Sequence, residues 1–117
     1  IDNDLFVVDE LNFLYQSLLE NRALCIDVLS HKTFMKELIN TSLVNQDICV
    51  SRAVLMILHE LANVKRHSLN DAEFKLFENI NLLLNHQRQL IKDHTIRLLH
   101  NLLCQSTDES WNIENIS

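Results

Sequence analysis

Glycine and proline are both absent from this chain of 117 residues. At average usage, about 14 residues of these two types would be present in a chain of this length. Tight β-turns and hairpins rely on the backbone angles that glycine and proline provide, so their absence argues against an all-β or α/β fold. Hydrophobic residues make up 47% of the chain, enough for one globular domain with a modest core. We therefore predict an all-α domain whose connections are built from Asn, Ser and Asp.

Positive charge is scarce and scattered. The formal net charge is −6, and no basic run is longer than Lys65-Arg66. A nucleic-acid binder would concentrate basic residues on one face, so nucleic acid ranks only as a distant third class of partner. No uncharged apolar run is long enough to span a membrane, and no signal peptide is visible. Because the chain begins with Ile rather than Met, we expect a domain from a longer protein.

Cysteines are few and far apart. Cys25, Cys49 and Cys104 each lie among apolar residues, and their number is odd. This pattern predicts buried, reduced thiols in an intracellular protein, cytoplasmic or nuclear.

Motifs that carry catalysis or hold a cofactor are also missing. HELAN, residues 59–63, comes close to the HExxH zinc-protease motif but lacks its second histidine. His94 and His100 are six residues apart and do not share a helix face. Without glycine there is no glycine-rich phosphate loop. We therefore expect a non-enzymatic protein with no cofactor and no metal.

Apolar residues recur at three- and four-residue spacing along most of the chain, which predicts amphipathic helices. A long helix is predicted over residues 4–20. Ser30 and Asn45 are predicted N-caps of the helices that follow them, and Asn70 with Glu73 has the spacing of a capping box.

The end of the chain changes character. Asn85-His86 is predicted to end one helix before a last long helix that runs to residue 104. Residues 105–117 are polar and are predicted to form a mobile tail or a short docking segment.

The chain also repeats itself at an offset of 41 residues. Polar residues and the order of a medium helix followed by a long helix are both preserved, which is more informative than matches between leucines. The identical pairs include Glu37/Glu78, Ile39/Ile80, Asn40/Asn81, Leu43/Leu84, Gln46/Gln87, Leu58/Leu99, His59/His100 and Leu61/Leu102. A period near 40 residues is typical of α-solenoids.

Residues 21–63 resemble one armadillo repeat. NRALCIDVLSH is similar to its short first helix, KTFMKELINTSL to its second and NQDICVSRAVLMILHELAN to its long third helix. Residues 4–20 would be the third helix of a preceding repeat, and residues 64–104 a degenerate following repeat. The glycine and proline usual between the first two helices are replaced by Ser30-His31. The predicted fold is thus an armadillo/HEAT-like α-solenoid fragment of about two and a half repeats, with a compact helical bundle as the alternative.

This resemblance implies a groove lined by the third helices, which would bind an extended peptide or a partner helix. The positions that match the groove are Phe13 and Ser17, Met56 and Glu60, and Arg97 and Asn101. Only Asn101 keeps the Asn that grips a peptide backbone in armadillo grooves. The Trp–Asn ladder of nuclear-localisation-signal receptors is missing.

A second candidate surface is a basic strip. Arg88 and Lys92 are four residues apart, so they share a helix face, and Arg97 is nearby. Asp93 is placed to pair with Arg97. If this strip binds a partner, we expect an acidic peptide rather than DNA, because the chain as a whole is acidic.

Two functions remain open at this point. One is a protein-interaction scaffold, and the other is a helical assembly or dimerisation domain without a groove. Solenoid repeats bury their apolar faces only against neighbours. Because Phe6, Val7 and Val8 are consecutive in the first helix, we expect either further repeats or self-association through an end helix.

Overall fold

Six α-helices follow one another in the computed structural model, which describes residues 8–69 and 72–114. They are α1 (Val8–Glu20), α2 (Arg22–Ser30), α3 (Lys32–Glu37), α4 (Ile48–Lys65), α5 (Leu76–Leu84) and α6 (Gln89–Glu114). A π-helical turn over Leu38–Ser42 extends α3, and 3-10 turns over Arg66–Leu69 and Ala72–Phe74 lie between α4 and α5. No described residue lies in a β-strand, which confirms the all-α prediction.

The central element is α4, which packs against α1, α2 and α6. Half of its 18 residues are buried, and Ile57, Leu58 and Leu61 have no exposed surface. Fully burying one such side chain stabilises a fold by about 2 kcal/mol, so α4 supplies much of the core. α5 completes the core by packing against α6 and the π-helical turn. The radius of gyration is 14.5 Å, close to the roughly 13 Å of a compact domain of this length.

Two of the predicted N-caps are wrong. Ser30 is the last residue of α2, and its Oγ donates a hydrogen bond of 2.8 Å to the carbonyl of Ile26. α4 is capped by Asp47, whose Oδ1 accepts a bond of 2.9 Å from the backbone N–H of Cys49. Asn45 instead holds the preceding turn, because its Oδ1 accepts from the N–H of Asp47 at 2.9 Å.

The start of α5 also differs from the prediction. Asn70 lies outside the described residues, and the helix begins only at Leu76. Lys75 precedes it with φ of 54° and ψ of 37°, a left-handed conformation that interrupts helical backbone. The 3-10 turn before it buries Phe74. The predicted break at the other end is confirmed, since α5 ends at Leu84 and the N–H of Asn85 bonds the carbonyl of Leu82 at 3.2 Å.

The prediction of buried cysteines is confirmed at one position and wrong at another. Cys25 is buried, and its Sγ lies 3.9 Å from the carbonyl oxygen of Leu18. Cys49 is exposed, because it lies in the first turn of α4 and the buried face of that helix begins at Val50. The side chain of Cys104 lies outside the described part of the structure.

The last helix is longer than the sequence predicted. α6 continues through most of the predicted tail, as far as Glu114. None of the described helices combines the length and the apolar character needed to cross a membrane.

Candidate functional site

A cavity of about 240 Å³ lies where α1, α4 and α6 meet. We call it the three-helix cavity. Its lining comes from all three helices: Tyr15 of α1, Leu55, Met56, His59 and Glu60 of α4, and His94 and Arg97 of α6. Three of the residues predicted for a groove, Met56, Glu60 and Arg97, are therefore brought together.

The position of the cavity follows from the burial pattern of α4. This helix is buried around most of its circumference, and the less buried residues form one stripe. Arg52, Met56 and His59 are half-buried at four- and three-residue spacing, which places them on one face. The stripe faces the space between α1 and α6, so side chains from α4 form the floor of the cavity.

The negative charge of Glu60 is compensated within the domain. Its Oε1 lies 3.2 Å from Nη1 of Arg22, so the bridge links α4 to α2. The Glu60 side chain is 13% exposed and the Arg22 side chain 58% exposed. A pair this open to solvent contributes at most about 1 kcal/mol to stability. Its larger effect is to neutralise the cavity's acidic lining residue.

Positive charge on the same face has no such partner. Among the side chains that the structure describes, neither Arg97 nor Arg52 forms an ion pair. The predicted Asp93–Arg97 pair is absent from the described residues, and Oδ1 of Asp93 accepts a hydrogen bond of 2.9 Å from Nε2 of Gln89. The cavity is therefore lined by one guanidinium group, that of Arg97, that has no carboxylate partner among the described residues.

The pKa of His94 is affected by its burial and by these positive charges. Partial burial lowers its pKa below the usual 6.5, and the guanidinium groups of Arg97 and Arg52 lower it further. His59 acts in the same direction, while Asp93 opposes the shift. The neutral imidazole is thus favoured near pH 7.

Asn101 is in contact with α4 rather than pointing freely into a groove. Its side chain is buried, and Nδ2 donates to the carbonyl of His59 at 3.2 Å and to Oδ1 of Asn63 at 2.8 Å. It also lines a second cavity of about 290 Å³ with His59, Ile96, Arg97 and His100. In this structure its amide nitrogen joins α6 to α4.

Phe13 and Ser17 do not line the three-helix cavity. Phe13 is 75% exposed, and Oγ of Ser17 donates a hydrogen bond of 2.9 Å back to the carbonyl of Phe13. The residue that α1 contributes is Tyr15, two positions along and therefore about 200° around the helix from Phe13.

The basic strip divides between two sides of α6. Lys92 and Arg97 are five residues apart, or about 140° around the helix. Arg97 lines the cavity, whereas Arg88 and Lys92 do not. Arg88 lies just before the helix, where its carbonyl accepts the N–H of Lys92 at 3.2 Å.

Sequence reasoning missed Tyr15 and His94 as lining residues. Both are half-buried at the edge of a buried stripe. A tyrosine at such an edge has an apolar ring and a polar tip, which suits a boundary between core and solvent. That position relative to Leu11 and Leu18 was the available signal.

Within the described ranges, no group of three or more His, Cys, Asp or Glu side chains could hold a metal ion.

We also compared the chain with known proteins. No protein-family model, curated protein or solved structure matches it.

Proposed function

We propose that this protein is a non-enzymatic interaction module that binds a segment of a partner protein, a peptide or a helix, across the three-helix cavity. The observation that carries the proposal is the convergence of Met56, Glu60 and Arg97 from two long helices on one cavity, with Tyr15 from a third.

The size of the cavity favours a macromolecular partner over a small molecule. Sites for small molecules usually enclose about 300–1,000 Å³. A volume of about 240 Å³ accommodates one or two side chains of a segment that lies across the surface. Such a segment would be anchored in the cavity and would make its remaining contacts along α4.

The lining chemistry is suited to protein recognition. Tyrosine and arginine are enriched among the residues that dominate binding energy at interfaces. Methionine adapts its shape to varied apolar partners because its side chain is unbranched and polarisable. Tyr15, Met56 and Arg97 supply these three properties side by side.

The proposed architecture is an armadillo/HEAT-like stack. The 41-residue recurrence lays α4 over residues 89–106 of α6. Each of these long helices follows a shorter one, α3 with its π-helical turn or α5, and those two shorter elements also pack together. α1, α4 and α6 would then be equivalent third helices, and the cavity would lie on the face that they share.

The test compares matched double variants in a pull-down from cell lysate, read by mass spectrometry. Met56→Ala/Arg97→Ala alters the cavity, and Arg88→Ala/Lys92→Ala removes two cationic side chains outside it. Circular dichroism must show both variants to be folded. We expect the first to lose a partner that the wild type and the second variant retain. Retention by the first variant and loss by the second would refute the proposal.

A helical assembly domain is the second candidate function, because Phe13 exposes three quarters of its surface on α1. Self-association through this helix would appear in sedimentation velocity as a mass that rises with concentration. Phe13→Ser would abolish that rise. A wild-type protein that stays monomeric at high concentration would exclude this candidate.

A further inference from the structure

We propose that the three-helix cavity receives a carboxylate side chain from an acidic segment of the partner, and that His94 takes up a proton as this segment binds. The inference rests on the proposed function and specifies the chemistry of the partner at the same site.

Charge complementarity is the first argument. Among the described residues that line the cavity, Glu60 is the only acidic one, and its carboxylate is paired with Arg22 at 3.2 Å. Arg97 lines the cavity without an ion-pair partner among the described residues, and Arg52 is close enough to affect His94. The cavity lining therefore includes one guanidinium group, that of Arg97, that no described carboxylate compensates, although the whole chain carries −6.

The second argument is the kind of ligand that this lining can hold. A guanidinium group presents a planar fork of N–H donors that matches a carboxylate in two parallel hydrogen bonds. Leu55, Met56 and the ring of Tyr15 form apolar walls of the same cavity. Such walls lower the local dielectric constant and strengthen a charged contact relative to one in open solvent.

The surroundings of His94 explain why this residue takes up a proton when the acidic segment binds. The groups that face it are Arg52 and His59 from α4 and Asp93 and Arg97 from α6, with Glu60 and Tyr15 in the same cavity lining. Burial, Arg97 and Arg52 lower the pKa of His94 in the free protein. A carboxylate placed beside Arg97 offsets the charge of that guanidinium group and adds a negative charge near His94, so it raises this pKa in the complex.

The sign of the pH effect is then fixed by linkage. Because the complex binds more protons than the free protein between the two pKa values of His94, affinity rises as pH falls through that interval. The partner carboxylates stay ionised in this window, since their ordinary pKa values are about 4. One linked proton can change the dissociation constant by at most about tenfold per pH unit.

A random-peptide phage library supplies an unbiased probe. Peptides are selected on the folded wild-type domain at pH 6, and one selected sequence is synthesised with a fluorescent label. We expect enrichment of Asp and Glu among the selected peptides. Fluorescence anisotropy should show an affinity loss of at least about tenfold with Arg97→Gln, or when the acidic residues of the peptide become amides. Arg88→Gln is the matched control and should leave the affinity unchanged.

Measuring the dissociation constant of the peptide at a series of pH values from 7.5 to 5.5 tests whether His94 takes up a proton on binding. We expect the wild-type dissociation constant to fall by at least about threefold across it. His94→Gln should flatten this dependence, whereas His31→Gln, at the junction of α2 and α3, should retain it. A dependence that survives in folded His94→Gln would overturn the role of His94.

The outcomes separate this inference from the proposed function. Selected peptides that lose affinity with Met56→Ala but show no preference for acidic residues would overturn the carboxylate inference while the cavity remains the binding site. Peptides whose affinity responds to none of the cavity substitutions would overturn both.

Discussion

A substitution at Asn101 tests most sharply whether a predicted site residue stabilises the fold or binds a partner. Its Nδ2 bonds the carbonyl of His59 at 3.2 Å and Oδ1 of Asn63 at 2.8 Å, so it joins α6 to α4. Asn101→Ala removes both bonds from a buried position. If the amide serves to join the two helices, this substitution lowers the free energy of unfolding whether or not any partner is present.

The expected magnitude follows from the two bonds. Each intramolecular hydrogen bond contributes about 0.5–1.5 kcal/mol net, so their combined loss should destabilise the domain by about 1–3 kcal/mol. For a domain of 117 residues, the unfolding entropy near the midpoint is about 0.25 kcal/mol/K. A loss of 1–3 kcal/mol therefore lowers the melting temperature by about 4–12 °C.

Urea denaturation followed by circular dichroism measures this change. Asn81→Ala, on the exposed face of α5, is the matched control and should alter stability by less than about 0.5 kcal/mol. A double-mutant cycle between Asn63 and Asn101 should show a coupling energy of about 0.5–1.5 kcal/mol. An Asn101→Ala protein with wild-type stability and no coupling to Asn63 would refute the structural role.

Three further predictions concern the fold. Leu58→Ala should cost about 2–5 kcal/mol in urea denaturation because Leu58 has no exposed surface, whereas Leu82→Ala, at a site 60% exposed, should cost less than about 0.5 kcal/mol. Lys75→Gly should raise the unfolding free energy by about 0.5–1 kcal/mol, since glycine adopts φ of 54° without a steric penalty; a destabilised variant would contradict this. Iodoacetamide labelling of the native protein, mapped by mass spectrometry, should modify Cys49 much faster than Cys25, and equal rates would contradict their difference in burial.

The sequence predicted where the helices lie better than it predicted the residue at which each helix begins. Apolar periodicity depends on burial over many residues, so it located the long central helix and the break at Asn85. An N-cap depends on one hydrogen bond between a side chain and the backbone of the first turn, and several nearby polar residues have side chains that can form such a bond. Asn45 and Asp47 both precede α4, but only Asp47 accepts the bond that caps the helix.

The candidate site was predictable only in part for a related reason. Met56 and Arg97 were predicted from the resemblance to armadillo third helices, and they lie on helices that are packed on several sides, where few positions remain accessible. Phe13 does not line the cavity because α1 leaves a wide surface exposed, and a resemblance to a repeat does not specify which part of that surface faces α4. The separation of Arg97 from Lys92 follows from their five-residue spacing, but which of the two lines the cavity depends on the packing direction of α6, which no local pattern contains.

Site-specific photo-crosslinking tests the central claim, that partners bind at the three-helix cavity, most directly. A benzophenone amino acid replaces Met56 in one protein and Leu82, an exposed residue of α5, in another. We predict a discrete crosslinked partner from position 56, suppressed by excess unlabelled wild-type protein but not by excess Arg97→Gln protein, and no such product from position 82. A partner that crosslinks from position 82 and not from position 56 would contradict the claim.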